Sequence, residues 1–160
     1  PAARVSVKWP NDVIVGDGEA AAGRKISGIL TEVLPSDPLT VIVGAGVNTT
    51  MPTVDLPVPT ATSFADLGVE VDEDRLLADY LTALRDGIAA LAVSGHAAVA
   101  EGITSHCSTL GTEVAVSLPG PAGGTTLRGR AVRLDAEGRL VVESEGTEAV
   151  VSAGDVVHVR

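Results

Sequence analysis

Within its first 48 residues the chain lays down extended runs so close together that only one kind of sheet can join them. From Arg4 to Trp9, the residues Val5, Val7 and Trp9 alternate with Arg4, Ser6 and Lys8, which is the period of a half-buried strand. Pro10 has no amide proton to give a ladder and stops the run. Val13 to Val15 resumes it, "KISGILTEVL" (Lys25 to Leu34) is a second long strand closed by "PSDP", and "LTVIVGAGVN" (Leu39 to Asn48) follows. Parallel neighbours need a crossover of about a dozen residues or more. The gaps here are shorter, even across the glycine-rich "GDGEAAAG" loop from Gly16 to Gly23, so the sheet is expected to be antiparallel. The nearly unbroken apolar content after Leu39 predicts a central strand covered on both faces.

Helices come next. Thr49 to Pro59 reads as a loop by its prolines and threonines, and "ATSFADLG" as a short helix. A longer helix is expected from Asp74 to Val93, where Leu77, Leu81, Leu84, Ile88 and Leu91 form one stripe suited to packing on the sheet. Asp72 to Asp74 supply the acidic N-terminus that such a helix favours. "HAAVAEGITSHC" (His96 to Cys107) predicts one more helix. Beyond Leu110 and Gly111 the pattern turns to short β runs separated by "PGPAGG", "DAEG" and "EGTE", which is the signature of a small barrel. The expected class is α+β: an antiparallel sheet with helices over residues 1–109, then a small β-barrel over residues 110–160. At 160 residues one main core is expected, and with 2% aromatics it must be built from Val, Leu, Ile and Ala.

Charge narrows the function classes. A net charge of −10 argues against a nucleic-acid or anionic-membrane surface, since phosphate attraction needs clustered Lys and Arg. No apolar run approaches the roughly 18 residues of a membrane span, and the single Cys107 suits a reducing cytoplasm. The reading is a soluble, untargeted, cytoplasmic protein. "VGAGVN" lacks the third glycine and the following helix of a dinucleotide fingerprint. No Walker loop or Gly-x-Ser-x-Gly turn is present, and His96, His106, His158 and Cys107 show no metal-ligand spacing.

Two short motifs remain. "KWPND" ends a strand with an apolar anchor, a stiff proline, and the polar pair Asn11 and Asp12, which either face a ligand or serve only as turn residues. In "GRKISGIL", Lys25 stands where a flexible loop enters a strand, and Gly28 is costly there unless another group comes close. Alone, Lys25 reads equally as a solvated side chain.

Taken together and followed by "VGAGVN", these motifs resemble the blocks of the biotin protein ligases, and the ending "AGDVVHVR" looks like the close of that family's C-terminal barrel. The resemblance runs from Arg4 to Arg160 and implies an incomplete class II synthetase-like domain followed by an SH3-like barrel. It implies an ATP-dependent ligase that forms biotinyl-5'-AMP and passes biotin to a lysine of a biotin carboxyl carrier domain. Lys25 then matches the lysine that contacts the biotin carboxyl and the reacting phosphate, with Gly28 beside it on the biotin side. Asn11, Asp12, Gly46 and Asn48 match nucleotide-side positions, with Gly44 giving further backbone access, and Arg160 matches an arginine that reaches towards ATP. Asp12 is expected either to hold Mg²⁺, directly or through water, or to orient and deprotonate the acceptor lysine. A homodimer is one arrangement that the resemblance allows.

The resemblance breaks upstream. The family's Gly-Arg-Gly-Arg-x-x-Arg loop and its ureido pocket are not in the sequence; "GRK" at Gly23 to Lys25 and "RGR" at Arg128 to Arg130 are not that loop. The helix-turn-helix of some members is also missing, so repressor activity is not supported. A fragment with an exposed sheet edge is therefore expected. The other readings are a non-catalytic remnant that binds nucleotide or a partner, and a lipoate–protein ligase.

Overall fold

A computed structural model describes residues 4–16, 23–118, 124–152 and 154–159. The expected antiparallel sheet is present, with four strands in the order β1-β2-β3-β4: β1 (Arg4–Lys8), β2 (Asp12–Gly16), β3 (Arg24–Leu34) and β4 (Asp37–Val47). Most of the expected loop from Gly16 to Gly23 lies outside the described residues, as does most of "PGPAGG".

One expectation about this sheet is overturned. β4 is the last strand of the order, and every residue along it is exposed. Its apolar run was expected to be central and covered on both faces, yet Leu39, Val41 and Ile42 are 93%, 54% and 53% exposed. The run is apolar enough to be covered, but among the described residues only Ala45 and Val47, at its end, line a cavity shared with the helix that follows.

Two helices follow, α1 (Glu73–Ser94) and α2 (Ala97–His106). Asp72 caps α1 by accepting from the Arg75 amide at 3.0 Å, and Gly95, at φ +69°, ends it with its own amide on the Leu91 carbonyl at 2.9 Å. The apolar stripe of α1 does not settle on the sheet as expected. Leu76, Leu77 and Tyr80 face Val13, Ile29 and Val47 across a cavity of about 420 Å³. Leu81 and Ile88 remain 52% and 55% exposed, because no strand among the described residues packs on the later turns. The expected helix at "ATSFADLG" is a series of turns instead. Its Ser63 hydroxyl takes the Asp66 amide at 2.9 Å, and Gly68 at φ +69° breaks the helical path. A short 3₁₀ turn, Thr53–Asp55, interrupts the preceding loop.

The second half forms a five-stranded antiparallel sheet of β5 (Glu113–Leu118), β6 (Thr125–Leu134), β7 (Leu140–Ser144), β8 (Thr147–Val151) and β9 (Asp155–His158). Its order is β8-β7-β6-β5-β9. The core sits here. Val114, Val116, Ala131, Leu140, Val142, Val151 and Val156 interlock, and each is at most 3% exposed. Trp9, from the turn after β1, and Cys107, just after α2, join them. The small β unit, and not the longer first half, therefore holds the best-buried apolar cluster. Among the described residues, no helix is long and apolar enough to cross a membrane.

Candidate active site

The turn between β1 and β2 carries the polar corner. Trp9, 6% exposed, is the anchor it was expected to be, but its ring is buried against the second sheet. Its amide donates to Thr109 Oγ1 at 3.0 Å and its indole Nε1 to the Gly138 carbonyl at 3.0 Å. A cis peptide links it to Pro10. Asn11 then fastens the turn to β3: its carbonyl accepts from the Ile29 amide at 2.9 Å, and its side-chain Nδ2 donates to the Ile29 carbonyl at 2.7 Å.

Asp12 opens β2 and lies in register with Gly28, which in turn lies opposite Gly46. Lys25 and Gly28 are three residues apart, a spacing that points side chains to opposite faces of a regular strand. A bulge removes the conflict. Val13 pairs with Ser27 and Ile14 with Lys25, so Ile26 is the extra residue that brings Lys25 round to the face of Asp12. Its Nζ stands 2.5 Å from Asp12 Oδ1, with the lysine side chain 45% exposed and the aspartate 22%. Gly28 leaves the room for this. A Cβ there would lie 2.9 Å from Lys25 Nζ and 3.0 Å from its Cε.

The backbone of Lys25 is held as firmly. Its amide donates to the Thr60 carbonyl at 2.8 Å, and its carbonyl accepts from the Thr62 amide at 2.8 Å. Behind that bridge sits Asp66, a residue that sequence reasoning did not single out. It accepts from Arg24 Nη1 at 2.5 Å, from Thr62 Oγ1 at 2.9 Å and from the Thr53 hydroxyl. The Thr53 hydroxyl, then Thr62 and Arg24, hold the Asp66 carboxyl below the ordinary aspartate value against the opposing effect of burial. The only local signal was Ser63 three residues before Asp66, a capping-like pattern that was absorbed into the expected helix.

Asp12, Lys25, Gly28 and Gly46 thus share one neighbourhood, and Asn11 flanks it. Asn48 turns the other way: its Nδ2 donates to the Thr62 carbonyl at 2.9 Å and its amide to the Ile26 carbonyl at 2.9 Å, bracing the segment next to Lys25. Among the described residues, a Cβ on Gly46 would meet nothing within 4 Å, and one on Gly44 only the Leu30 carbonyl at 3.8 Å. Arg160 lies outside the described residues. Chemically, the corner offers a half-exposed ammonium, a carboxylate in contact with it, and open backbone at two glycines. Among the described residues no three His, Cys, Asp or Glu side chains converge, so a metal here would rest on Asp12 alone. That suits Mg²⁺, which is often held by one carboxylate and the phosphates of its substrate, better than a dedicated protein cage.

Known proteins resemble the chain along its whole length. Residues 1–48 match the model of the biotin/lipoate A/B protein ligase family, and residues 109–159 match the biotin protein ligase C terminal domain. Over 161 aligned residues it is 38% identical to the biotin–acetyl-CoA-carboxylase ligase of Mycobacterium tuberculosis (strain ATCC 25618 / H37Rv), an alignment spanning 100% of this chain and 55% of that one. The chain belongs to the biotin protein ligase family. It spans about half the length, 55%, of this curated biotin ligase. Its fold matches the apo biotin protein ligase of Aquifex aeolicus with a TM-score of 0.79 at 23% identity, over 97% of this chain and 66% of the other. The same enzyme in complex with biotin and ATP matches with a TM-score of 0.73 at 24% identity, over 98% of this chain and 62% of that one. The biotin protein ligase fold therefore accounts for both sheets and their order.

Proposed function

We propose that the chain is the later part of an ATP-dependent biotin–protein ligase, in which residues 1–109 contribute to the catalytic domain and residues 110–160 form the C-terminal domain. The observation that carries this reading is the Lys25 ammonium, 2.5 Å from Asp12 in the space left by Gly28.

In the first step a carboxylate oxygen of biotin attacks the α-phosphorus of ATP; that P–O bond forms as the bond to pyrophosphate breaks. Two negative groups must meet, and unit charges about 4 Å apart repel by roughly 4 kcal/mol at an effective dielectric of 20. With a net charge of −10 the whole-protein field offers no relief, so a fixed local cation has to. Lys25 is one of only two lysines in the chain, and its contact with Asp12 at 2.5 Å holds its ammonium in the space beside Gly28. We assign it electrostatic stabilisation of the transferring group, with no covalent role. We assign Gly28 to the biotin side, where it leaves room for Lys25, and by resemblance Asn11, Gly46, Asn48 and Arg160 to the nucleotide side, Asn48 acting there through the segment it braces next to Lys25.

In the second step the ε-amine of a carrier-domain lysine attacks the acyl carbon, AMP leaves, and the amine loses a proton. Asp12 is placed to accept that proton or to orient the amine. When Mg²⁺ is bound, it supplies charge neutralisation at the phosphates, and Asp12 is the residue that would hold it.

The test is made in the full-length parent. Lys25→Ala is expected to lower biotin adenylate formation by about 10²-fold or more, the scale on which removing one preorganised electrostatic group acts, with the melting temperature little changed. Near-normal adenylate yield would remove Lys25 from the mechanism. Because the first family model spans lipoate as well as biotin ligases, lipoate is offered beside biotin in the same assay; a preference for lipoate overturns the substrate assignment.

A further inference from the structure

We infer that the turn from Asp135 to Arg139, in the five-stranded sheet, is a positioning element for the Asn11–Asp12 corner of the first sheet and acts through the indole of Trp9. The turn is held by its own bonds. The Asp135 carboxylate accepts from the amides of Glu137 at 3.0 Å and Arg139 at 2.9 Å, and from Arg139 Nε at 2.6 Å. The Gly138 amide donates to the Asp135 carbonyl at 3.0 Å, and Gly138 adopts a φ of +76°, which aims its carbonyl at the Trp9 ring. An indole N–H in an apolar core needs a partner, so this carbonyl fixes where the ring can sit.

The other end of the same short segment is fixed to the site. Trp9 is followed by Pro10, whose ring removes one backbone rotation, and then by Asn11, bonded twice to Ile29. Asp12 comes next, in register with Gly28 and in contact with Lys25. A displacement of the turn thus reaches the carboxylate through a stiff stretch of three peptide units. Room for such a displacement exists: a cavity of about 230 Å³ separates the turn from Leu91, His96 and Ile103 of the helical layer, so hydrogen bonds, more than packing on that side, set the turn's place.

The functional consequence rests on the ligase reading; the mechanical coupling does not. Two variants test it. Trp9→Phe keeps an aromatic ring and removes the indole donor, while Asp135→Ala leaves Trp9 intact and loosens the turn from the far side. Hydrogen exchange of the Ile29 amide, bonded to the Asn11 carbonyl, is the direct readout. Both variants are expected to speed it about tenfold, while the amides of β5 and β6 in Asp135→Ala keep their parent rates. An unchanged Ile29 rate in Asp135→Ala, or an equal acceleration at every amide, overturns the inference. In the full-length enzyme, positioning raises the KM for ATP several-fold and leaves that for biotin unchanged, whereas simple loss of folded protein lowers kcat alone and counts against it. If the unaltered enzyme makes no adenylate at all, the ligase reading fails, and the exchange experiment still decides the coupling.

Discussion

Gly28→Ala should separate folding from chemistry. The added Cβ would stand 2.9 Å from Lys25 Nζ, 3.0 Å from its Cε and 3.8 Å from Asp12 Oδ1. The two closest atoms are the far end of a flexible side chain, so the strand can stay in place while the lysine swings away. Alanine in a strand interior is also favoured over glycine by roughly 0.5–1 kcal/mol, which offsets the local adjustment. The charge geometry fares worse. Moving an ammonium from about 3 Å to about 6 Å from an anion cuts their attraction from about 5.5 to about 2.8 kcal/mol at an effective dielectric of 20. The Lys25 side chain is 45% exposed, so solvent screening leaves roughly half of that loss, about 1.4 kcal/mol or tenfold in rate. Calorimetry on the variant should show a melting temperature within a few degrees of the parent, and single-turnover adenylate formation should slow at least about tenfold. A normally stable variant that forms adenylate at the parent's rate would refute the assignment of Gly28 as the residue that makes room for Lys25.

Two further outcomes follow from the second sheet. A Cβ on Gly129 would lie 2.2 Å from the Glu143 carbonyl oxygen and 2.9 Å from its carbon, both backbone atoms that cannot step aside, so Gly129→Ala should cost about 1–3 kcal/mol in a urea titration; an unchanged midpoint contradicts the register of β6 and β7. Burial first, and then the charge of Lys8, push His158 below its ordinary value near 6.5, so its neutral form is the one the fold prefers. Its contribution to stability is full above about pH 6.5 and is lost as pH falls through the lower folded value; the difference in urea midpoint between parent and His158→Asn should therefore change below pH 6.5 and be constant above it, and a constant difference throughout would rule this out.

The sequence made regular periodicity legible and left partnership unread. Alternation marked β1 and the leucine spacing marked α1, because a face repeats whatever covers it. What covers it is non-local: the same apolar run suits a central strand or the exposed edge that β4 proves to be. The meeting of Lys25 and Gly28 was invisible to strand parity, since the bulge at Ile26 depends on pairing with β2; family resemblance, not spacing, brought them together. Trp9 was recognisable as an anchor, but its partners Thr109 and Gly138 stand 100 and 129 residues away. Asp66 went unnoticed for a like reason, as its bonds to Arg24 and Thr53 join segments that only the folded chain brings together.

The position of β4 bears on how the molecule behaves in the tube. From Pro38 to Val47 its rim carries no ionised side chain, and Pro38 is the one residue there that blocks pairing with another extended segment. The surplus of ten negative charges makes two copies repel one another. That repulsion reaches about 10 Å in 0.1 M salt and only about 3 Å in 1 M. Raising the salt therefore weakens the repulsion that opposes strand-to-strand pairing along this rim.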